Sequence, residues 1–396
     1  MTSIEQVVEV HRLAVEGRET AIAWGVGGWL ATTWLRRSRF TDVIDLARLT
    51  LTLGPHAPAL NHLGGAQSSL GQLQQALSSY DQALRLYQEA GDRGGEAAAL
   101  NNIGGVFESL GDRRRALEYY ERALPLTRDV GGREGEAAAL NNIGLAYDGL
   151  GEWQRALEYY QQALPITREI GDAGGEAVTL SNIGLACRHL GDPRRALDHY
   201  QQALSIQRAI GDRAGEATTL NNIGLAHGGL GDQPRALDHY RRALALRREV
   251  GDRQGEAVTL GNIGVLLGDA GENERALEFL RKSLSIRREM GDRVGAATTL
   301  NNIGAILFLL GDLDGAREGM EEVLEVVREV GDRGSEVVVR SNLAALLMRM
   351  ERVDEAVELQ RGAVDLAERM GHPASGALRG FLEEIEQAAR EIEDRS

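Results

Sequence analysis

The sequence predicts an all-α solenoid built from antiparallel helix pairs, and three observations predict it. A 40-residue unit recurs without insertion from about residue 57 to about residue 371. Inside each unit apolar residues return at helical spacing, as Leu100, Ile103 and Phe107 do. The 49 glycines, excessive for an ordinary globular chain, mostly fall at fixed intervals between the helical stretches. A chain of 396 residues is also longer than one hydrophobic core usually supports. A repeat array removes that limit, because each unit packs only on its neighbours.

The elements follow in order. Residues 3–15 read as a leading helix. Ala21 to Leu35 carries no charge for fifteen residues, which is short of the ~20 that an ordinary membrane span takes. Glu16, Arg18 and Glu19 precede it, where a secretory signal would have a basic region. It therefore reads as a buried helix. Trp29-Leu30-Ala31 with Trp34, Val43 and Ala47 resembles a degenerate further unit. Trp24, Trp29 and Trp34 do not share one helix face, which leaves two readings of this segment. It is buried between the leading helix and the first repeat, or it is a docking face for another module or for self-association.

Each full unit reads as two helices. In residues 95–131 (GEAAALNNIGGVFESLGDRRRALEYYERALPLTRDVG), the preceding Asp92 is placed to cap the first helix and Glu96 to sit in its first turn. Gly111 supplies a left-handed stop, and Asp112 caps the second helix. Ala116, Tyr120 and Ala123 line the inner face of that helix, Arg128 lies in its last turn, and Gly131 ends the unit. Residues 135–171 repeat this plan almost residue for residue, and Asn-Ile-Gly recurs at Asn102, Asn142, Asn182, Asn222, Asn262 and Asn302. Eight units result, with the first and last imperfect. Arg340 and Ala344 depart from the pattern of the first helix, and Leu280, Met320 and Gln360 replace the tyrosine of the second. Such departures suit terminal repeats that close a stack. Residues 374–394 read as an amphipathic closing helix. The organisation is thus 1–56 (leading helix and degenerate repeat), 57–371 (eight repeats) and 372–396 (cap).

The column Leu100, Ile103-Gly104, Phe107, Ala116, Tyr120 and Ala123 resembles the tetratricopeptide repeat. The 40-residue unit, with its Gly-Asp-Arg loop and Asn-Asn-Ile-Gly core, is similar to the kinesin light chain and Pins-type variety. The resemblance implies a right-handed superhelix whose first helices line a groove for a protein or peptide ligand. It also implies that asparagines in the groove bond the backbone of an extended peptide. On this sequence they are Asn101, Asn102, Asn141, Asn142, Asn182, Asn221, Asn222, Asn262, Asn301, Asn302 and Asn342. The stretch WLATTWLRRSRFTDVIDLARLTLTLG is similar to the opening of tetratricopeptide regions in bacterial NB-ARC regulators. That gives a second expectation, a sensor region acting with a nucleotide-binding module on another polypeptide.

The asparagines also stand out physically. Asparagine in mid-helix costs roughly 0.6 kcal/mol against alanine, so its recurrence calls for a compensating interaction. An amide offers both donor and acceptor to a peptide backbone without reading its sequence. It can equally form a ladder between neighbouring repeats, and both readings stand. A carboxylate clamp is not expected, because lysine and arginine are missing where Ala98, Ala138 and Val178 sit. The repeats vary most near the end of the first helix, at Glu108, Asp148, Arg188, His189 and Phe308, either as a specificity row or by drift.

No catalytic, metal or cofactor signature appears. There is no phosphate loop and no HExxH, and the glycine strings follow no strand. His199 and His239 lack a third ligand, and Cys187 fills an aromatic core position as a small packed hydrophobe. A net charge of −15 disfavours nucleic acid and anionic membranes as partners. One cysteine excludes an internal disulfide and fits the cytoplasm, and the lack of catalytic signatures leads to the expectation of a non-enzymatic protein.

Overall fold

A computed structural model describes residues 4–393, so Ser3 and Asp394, at the outer ends of the expected terminal helices, lie outside the described residues. Among the described residues there are twenty α-helices and no strand. They form two compact units that divide after Gly211. Unit 1 holds α1 (Ile4–Glu16), α2 (Thr20–Leu35), α3 (Phe40–Leu51), α4 (Ala57–Ser69), α5 (Leu73–Ala90), α6 (Arg93–Ser109), α7 (Arg113–Asp129), α8 (Arg133–Gly149), α9 (Trp153–Glu169), α10 (Ala173–His189) and α11 (Pro193–Ile210). Unit 2 holds α12 (Arg213–Gly229), α13 (Gln233–Glu249), α14 (Arg253–Asp269), α15 (Asn273–Glu289), α16 (Arg293–Leu310), α17 (Leu313–Val330), α18 (Arg333–Arg349), α19 (Val353–Met370) and α20 (Ser375–Glu393). From α4 onward even-numbered helices are the first, and odd-numbered helices the second, of each repeat.

The turns work as their residues dictate. Gly111 takes φ = +79°, a conformation that costs glycine nothing. Its N–H bonds the Glu108 carbonyl at 3.0 Å, and the Asp112 N–H bonds the Phe107 carbonyl at 2.9 Å. This pair of bonds satisfies the end of α6 as a Schellman motif does. The Asp112 carboxylate then accepts from the Arg115 N–H at 3.2 Å and opens α7. One aspartate thus closes one helix with its backbone and starts the next with its side chain. Asp92 caps α6 in the same way, through the Gly95 N–H at 2.9 Å. In the last repeat Glu351 holds φ = +60° where the other turns have glycine, a mildly strained position.

Packing inside a repeat depends on one close contact. The Tyr120 ring lies on Gly104, where a Cβ would stand 2.5 Å from ring carbon Cε1. Gly64 and Tyr80, Gly144 and Tyr160, Gly184 and Tyr200, and Gly224 and Tyr240 repeat the contact, and Leu280 lies as close to Gly264. The tyrosines are buried. Gln360, the departure at the same column in the last repeat, is fully buried and donates from Nε2 to the Leu378 carbonyl at 2.8 Å. It replaces ring packing with a bond that seats the closing helix α20. Along each stack, Arg128, Arg168, Arg248 and Arg328 reach the glutamate eight residues on (Glu136, Glu176, Glu256 and Glu336) at 2.7–3.0 Å, tying a second helix to the next first helix.

The N-terminal segment departs from the expectation of a buried helix. α2 buries Ala23, Gly27, Leu30, Ala31 and Trp34, but Ile22 and Trp29 are exposed, Trp29 by 55%. The leading helix covers one side only, and three aromatic rings spaced five residues apart cannot all turn inward. Trp24 is half-buried and stacks on His56, with ring centroids 4.5 Å apart. Nearby, buried His11 lies 2.9 Å from Thr50 Oγ1, whose own proton goes to the Leu46 carbonyl, so the imidazole Nε2–H is the donor. Among the described residues α16 alone is long and apolar enough to span a membrane, and half of it is buried in unit 2.

Three outcomes follow. Gly144→Ala should cost about 1–3 kcal/mol by overpacking against Tyr160. Gly105→Ala, which meets only the Tyr120 hydroxyl at 3.8 Å, should leave the thermal midpoint unchanged or raise it. Burial holds the imidazoles of His11, His56 and His62 below their ordinary range. Unfolding lets them take protons once the pH drops below ~6.5, so stability present above that value is lost as the pH falls toward the folded values. Hydrogen exchange at pH 7.5 and 5.5 should show protection falling first in α1–α4.

Candidate functional site

The open side of a first helix lies about a quarter turn round from its glycine–tyrosine contact. Positions i, i+3 and i+7 share that face, so α6 presents Ala98, Asn101 and Gly105, and α8 presents Ala138, Asn141 and Leu145. Beyond their chain neighbours, first helices touch one another: α4 with α6, α6 with α8 and α8 with α10 in unit 1, and α12 with α14 and α14 with α16 in unit 2. First helices α4–α10 in unit 1 and α12–α16 in unit 2 therefore form continuous faces.

The asparagines lie along the middle of that face, and the structure divides them. The first asparagine of one repeat approaches the second asparagine, 41 residues on, in the next. Asn102 Nδ2 donates to Asn61 Oδ1 at 3.0 Å. Asn221 is buried and accepts from Asn262 Nδ2 at 3.0 Å and from Thr259 Oγ1 at 3.3 Å. Asn141 Nδ2 donates to Thr179 Oγ1 at 2.8 Å, a threonine already bonded to the Gly175 carbonyl. These form the rungs of a ladder. Asn101 Oδ1 and Asn141 Oδ1 are buried with no protein partner. Asn142, Asn182, Asn222 and Asn302 are half-buried, and Asn301 and Asn342 are exposed. The amides thus fall into a bonded set and a set with hydrogen-bonding capacity unspent.

An aliphatic row runs beside the amides and escaped the sequence reading. Leu145 and Leu185 in unit 1, and Leu225 and Val265 in unit 2, stand four residues after the first amide position, and Leu145 and Val265 are about 40% exposed. In sequence they resemble core leucines. Only the phase against the glycine–tyrosine contact assigns them to the open face.

The variable row is engaged within the protein. Glu108 meets Arg113 at 3.4 Å. Asp148, with a side chain only 13% exposed, meets His189 Nδ1 at 3.4 Å, and Arg188 lies 2.7 Å from the other ring nitrogen of His189. The Trp153 ring tilts against His189 at 5.2 Å, and the Arg349 guanidinium lies over Phe308 at 4.7 Å. Asp148 also helps raise the Tyr160 phenol above its ordinary range, after burial, the larger cause. Cys187 is buried, which pushes its thiol up and away from reactivity. His239 stacks on His227 at 5.5 Å.

These helix pairs, their glycine–tyrosine contacts and their aspartate turns define a helical-repeat protein. The tetratricopeptide repeat model matches residues 56–129, 115–169, 175–249, 217–289 and 295–369, well over half of the sequence, and the chain belongs to the tetratricopeptide repeat family. No curated protein matches it by sequence. Among solved structures it is similar to a signal transduction ATPase with numerous domains from Pyrococcus horikoshii that carries a tetratricopeptide repeat sensor. There the TM-score is 0.62 at 14% identity, over 91% of this chain and 55% of that one. It is similar also to a Rap protein complexed with competence and sporulation factor (TM-score 0.60, 16% identity, 88% of this chain and 98% of that one). The apo form of RapI matches with a TM-score of 0.59 at 18% identity, over 70% of this chain and 99% of that one.

The two sets of amides should separate in stability. Asn221→Ala strands two donors in a buried setting and should cost about 1–3 kcal/mol. Asn301→Ala, on an exposed helical surface, should be neutral or slightly stabilising. Denaturant titrations of the two variants check this.

Proposed function

We propose that this chain is a non-enzymatic scaffold whose first-helix face holds an extended peptide, or an extended segment of a partner protein. Tetratricopeptide repeat proteins are typically protein-interaction scaffolds. The finer reading rests on one observation: the half-buried amides of Asn142, Asn182, Asn222 and Asn302 and the exposed amides of Asn301 and Asn342 are open on the first-helix face beside the aliphatic row. A peptide backbone supplies donors and acceptors at regular intervals, and the aliphatic row gives its side chains somewhere to lie. The bonded amides keep the face rigid, and that lowers the cost of ordering a ligand. The variable residues Glu108, Asp148, Arg188, His189 and Phe308 act on specificity by shaping the rim, through the contacts they make within the protein. Net charge of −15 sets the preference against nucleic acid. The lone buried Cys187 suits the cytoplasm.

The second reading, a sensor region acting with a separate nucleotide-hydrolysing module, keeps the same face and changes only what the bound partner controls. It draws support from the segment around Trp29–Leu53 and from the fold shared with the sensor-bearing ATPase.

The test is the double variant Asn142→Ala and Asn182→Ala, compared with the wild-type chain for binding to the partner recovered on it from lysate. Affinity should fall by several kcal/mol, because each lost amide leaves peptide groups unpaired at about 1–3 kcal/mol. The melting temperature should hold, since alanine is the better helix former. A variant that melts much earlier yet binds normally when folded would return these amides to a purely structural role.

A further inference from the structure

Between α16 and α18, with α17 as its floor, unit 2 contains an open crevice of about 650 Å³. Valines line it, and Val294, Val330 and Val338 are each more than half exposed at its rim. Two amides flank it, Asn301 on α16 and Asn342 on α18, both exposed. They are the same pair of positions that Asn221 and Asn262 bond across between α12 and α14.

The repeats before it explain why the crevice is open. There the corresponding space is plugged from within by an arginine of the second helix. Arg247, only 7% exposed, bonds Asp252 at 2.6 Å, and Arg287 bonds Asp292 at 2.8 Å. Each guanidinium lies so close to Gly255 or Gly295 that a Cβ there would sit 1.4 or 1.6 Å from its Nη1. In the next repeat the second-helix position is Val327, and the glycine has become Ser335. The serine hydroxyl takes over the aspartate, donating to Asp332 Oδ2 at 2.6 Å, while its N–H bonds Oδ1 at 3.0 Å. The two changes belong together: the plug is withdrawn, and the charge it neutralised is satisfied locally. What remains is an apolar slot in which Asp332, the one carboxylate of the lining, is already held by its cap.

We propose that this crevice seats an uncharged, branched aliphatic side chain of an extended partner peptide, with Asn301 and Asn342 pairing the peptide backbone on either side. The inference rests on the peptide-groove reading above and adds the anchor residue to it. A charged side chain is disfavoured: both oxygens of Asp332 are already bonded by Ser335, so a cation would find that carboxylate spent and an anion would be repelled by it, while the rest of the lining, His372 apart, is uncharged. Val294 strengthens the assignment: the same column elsewhere holds Gly94, Glu134, Gly174, Ala214, Gln254 and Gly334, so the aliphatic wall is local to this crevice.

The test uses the full chain, immobilised, and pools of acetylated, amidated decapeptides with one central position fixed and the others randomised. Pools fixed as Val, Ile or Leu should be retained about tenfold better than the Ala pool, as burial of two further carbon groups implies. The double substitution V327R with S335G rebuilds the arginine plug of the preceding repeats and should remove that preference at unchanged melting temperature. V330Q, at an exposed rim position, should weaken it if the double variant does not fold. Equal preference in wild type and plugged variant overturns the anchor assignment and leaves the groove reading standing. Best retention of Lys, Arg, Asp or Glu pools overturns the assignment too. Failure of the wild-type chain to retain any pool overturns the groove reading and the anchor with it. A chain that sediments as a dimer and becomes monomeric on plugging would show a second copy to be the occupant, against the proposal.

Discussion

A tyrosine ring lying flat on a glycine sets the geometry of this protein. Because Gly104 has no Cβ, Tyr120 can bring the two helices of its repeat together until the ring fills the space a methyl group would take. Five repeats use this pair and a sixth uses Leu280 in the tyrosine's place, so helix spacing is nearly constant along each stack. The contact also fixes rotation. Once Gly104 faces the second helix, Asn101 and Gly105 come to lie about a quarter turn to one side of it, and the amide row and the aliphatic row inherit their positions from that phase. Where the contact relaxes, other devices enter. A Cβ at Gly304 would meet the Ala316 carbonyl oxygen at 3.6 Å and Met320 Cγ at 3.9 Å, well short of the tyrosine contact, and Gln360 gives up ring packing to hold the closing helix.

Much of this was legible in the sequence because its causes are local. The aspartate caps, the left-handed glycines and the paired helices each depend on residues a few positions apart, and the 40-residue period multiplies the signal. Features that depend on contacts across repeats were not legible. Which asparagines are bonded within the stack and which stay open turns on a neighbour 41 residues away: Asn102 finds Asn61, whereas Asn301 faces an open crevice. The variable row invited a reading as a free specificity surface, yet Asp148 and His189 meet each other. Trp29 shows a related limit, since an apolar segment does not reveal how much of its circumference the neighbouring elements can cover. Val327 and Ser335 look like unrelated drift until the arginines of the preceding repeats show what they replaced.

Electrostatics divides along the same lines. The arginine–glutamate pairs that link each second helix to the next first helix are half exposed on the arginine side and mostly buried on the glutamate side. They orient neighbours more than they stabilise them, as pairs of this exposure usually do. The plugging arginines differ: Arg247 is enclosed, and its aspartate also caps a helix. Losing such an arginine by itself would leave a carboxylate short of a partner, and the serine at 335 answers that need where the arginine is missing.

The double duty of aspartates such as Asp112 has a consequence for how such a chain can change over evolutionary time. Its backbone ends one helix and its side chain begins the next, so no residue in the turn is spare. Adding or deleting one residue there would separate stop from start and rotate everything downstream out of phase with its tyrosine. Gain or loss of an entire unit disturbs neither, because the junction it creates is the same junction again. The array is brittle to small length changes and tolerant of large ones, and its length is therefore free to vary only in whole repeats.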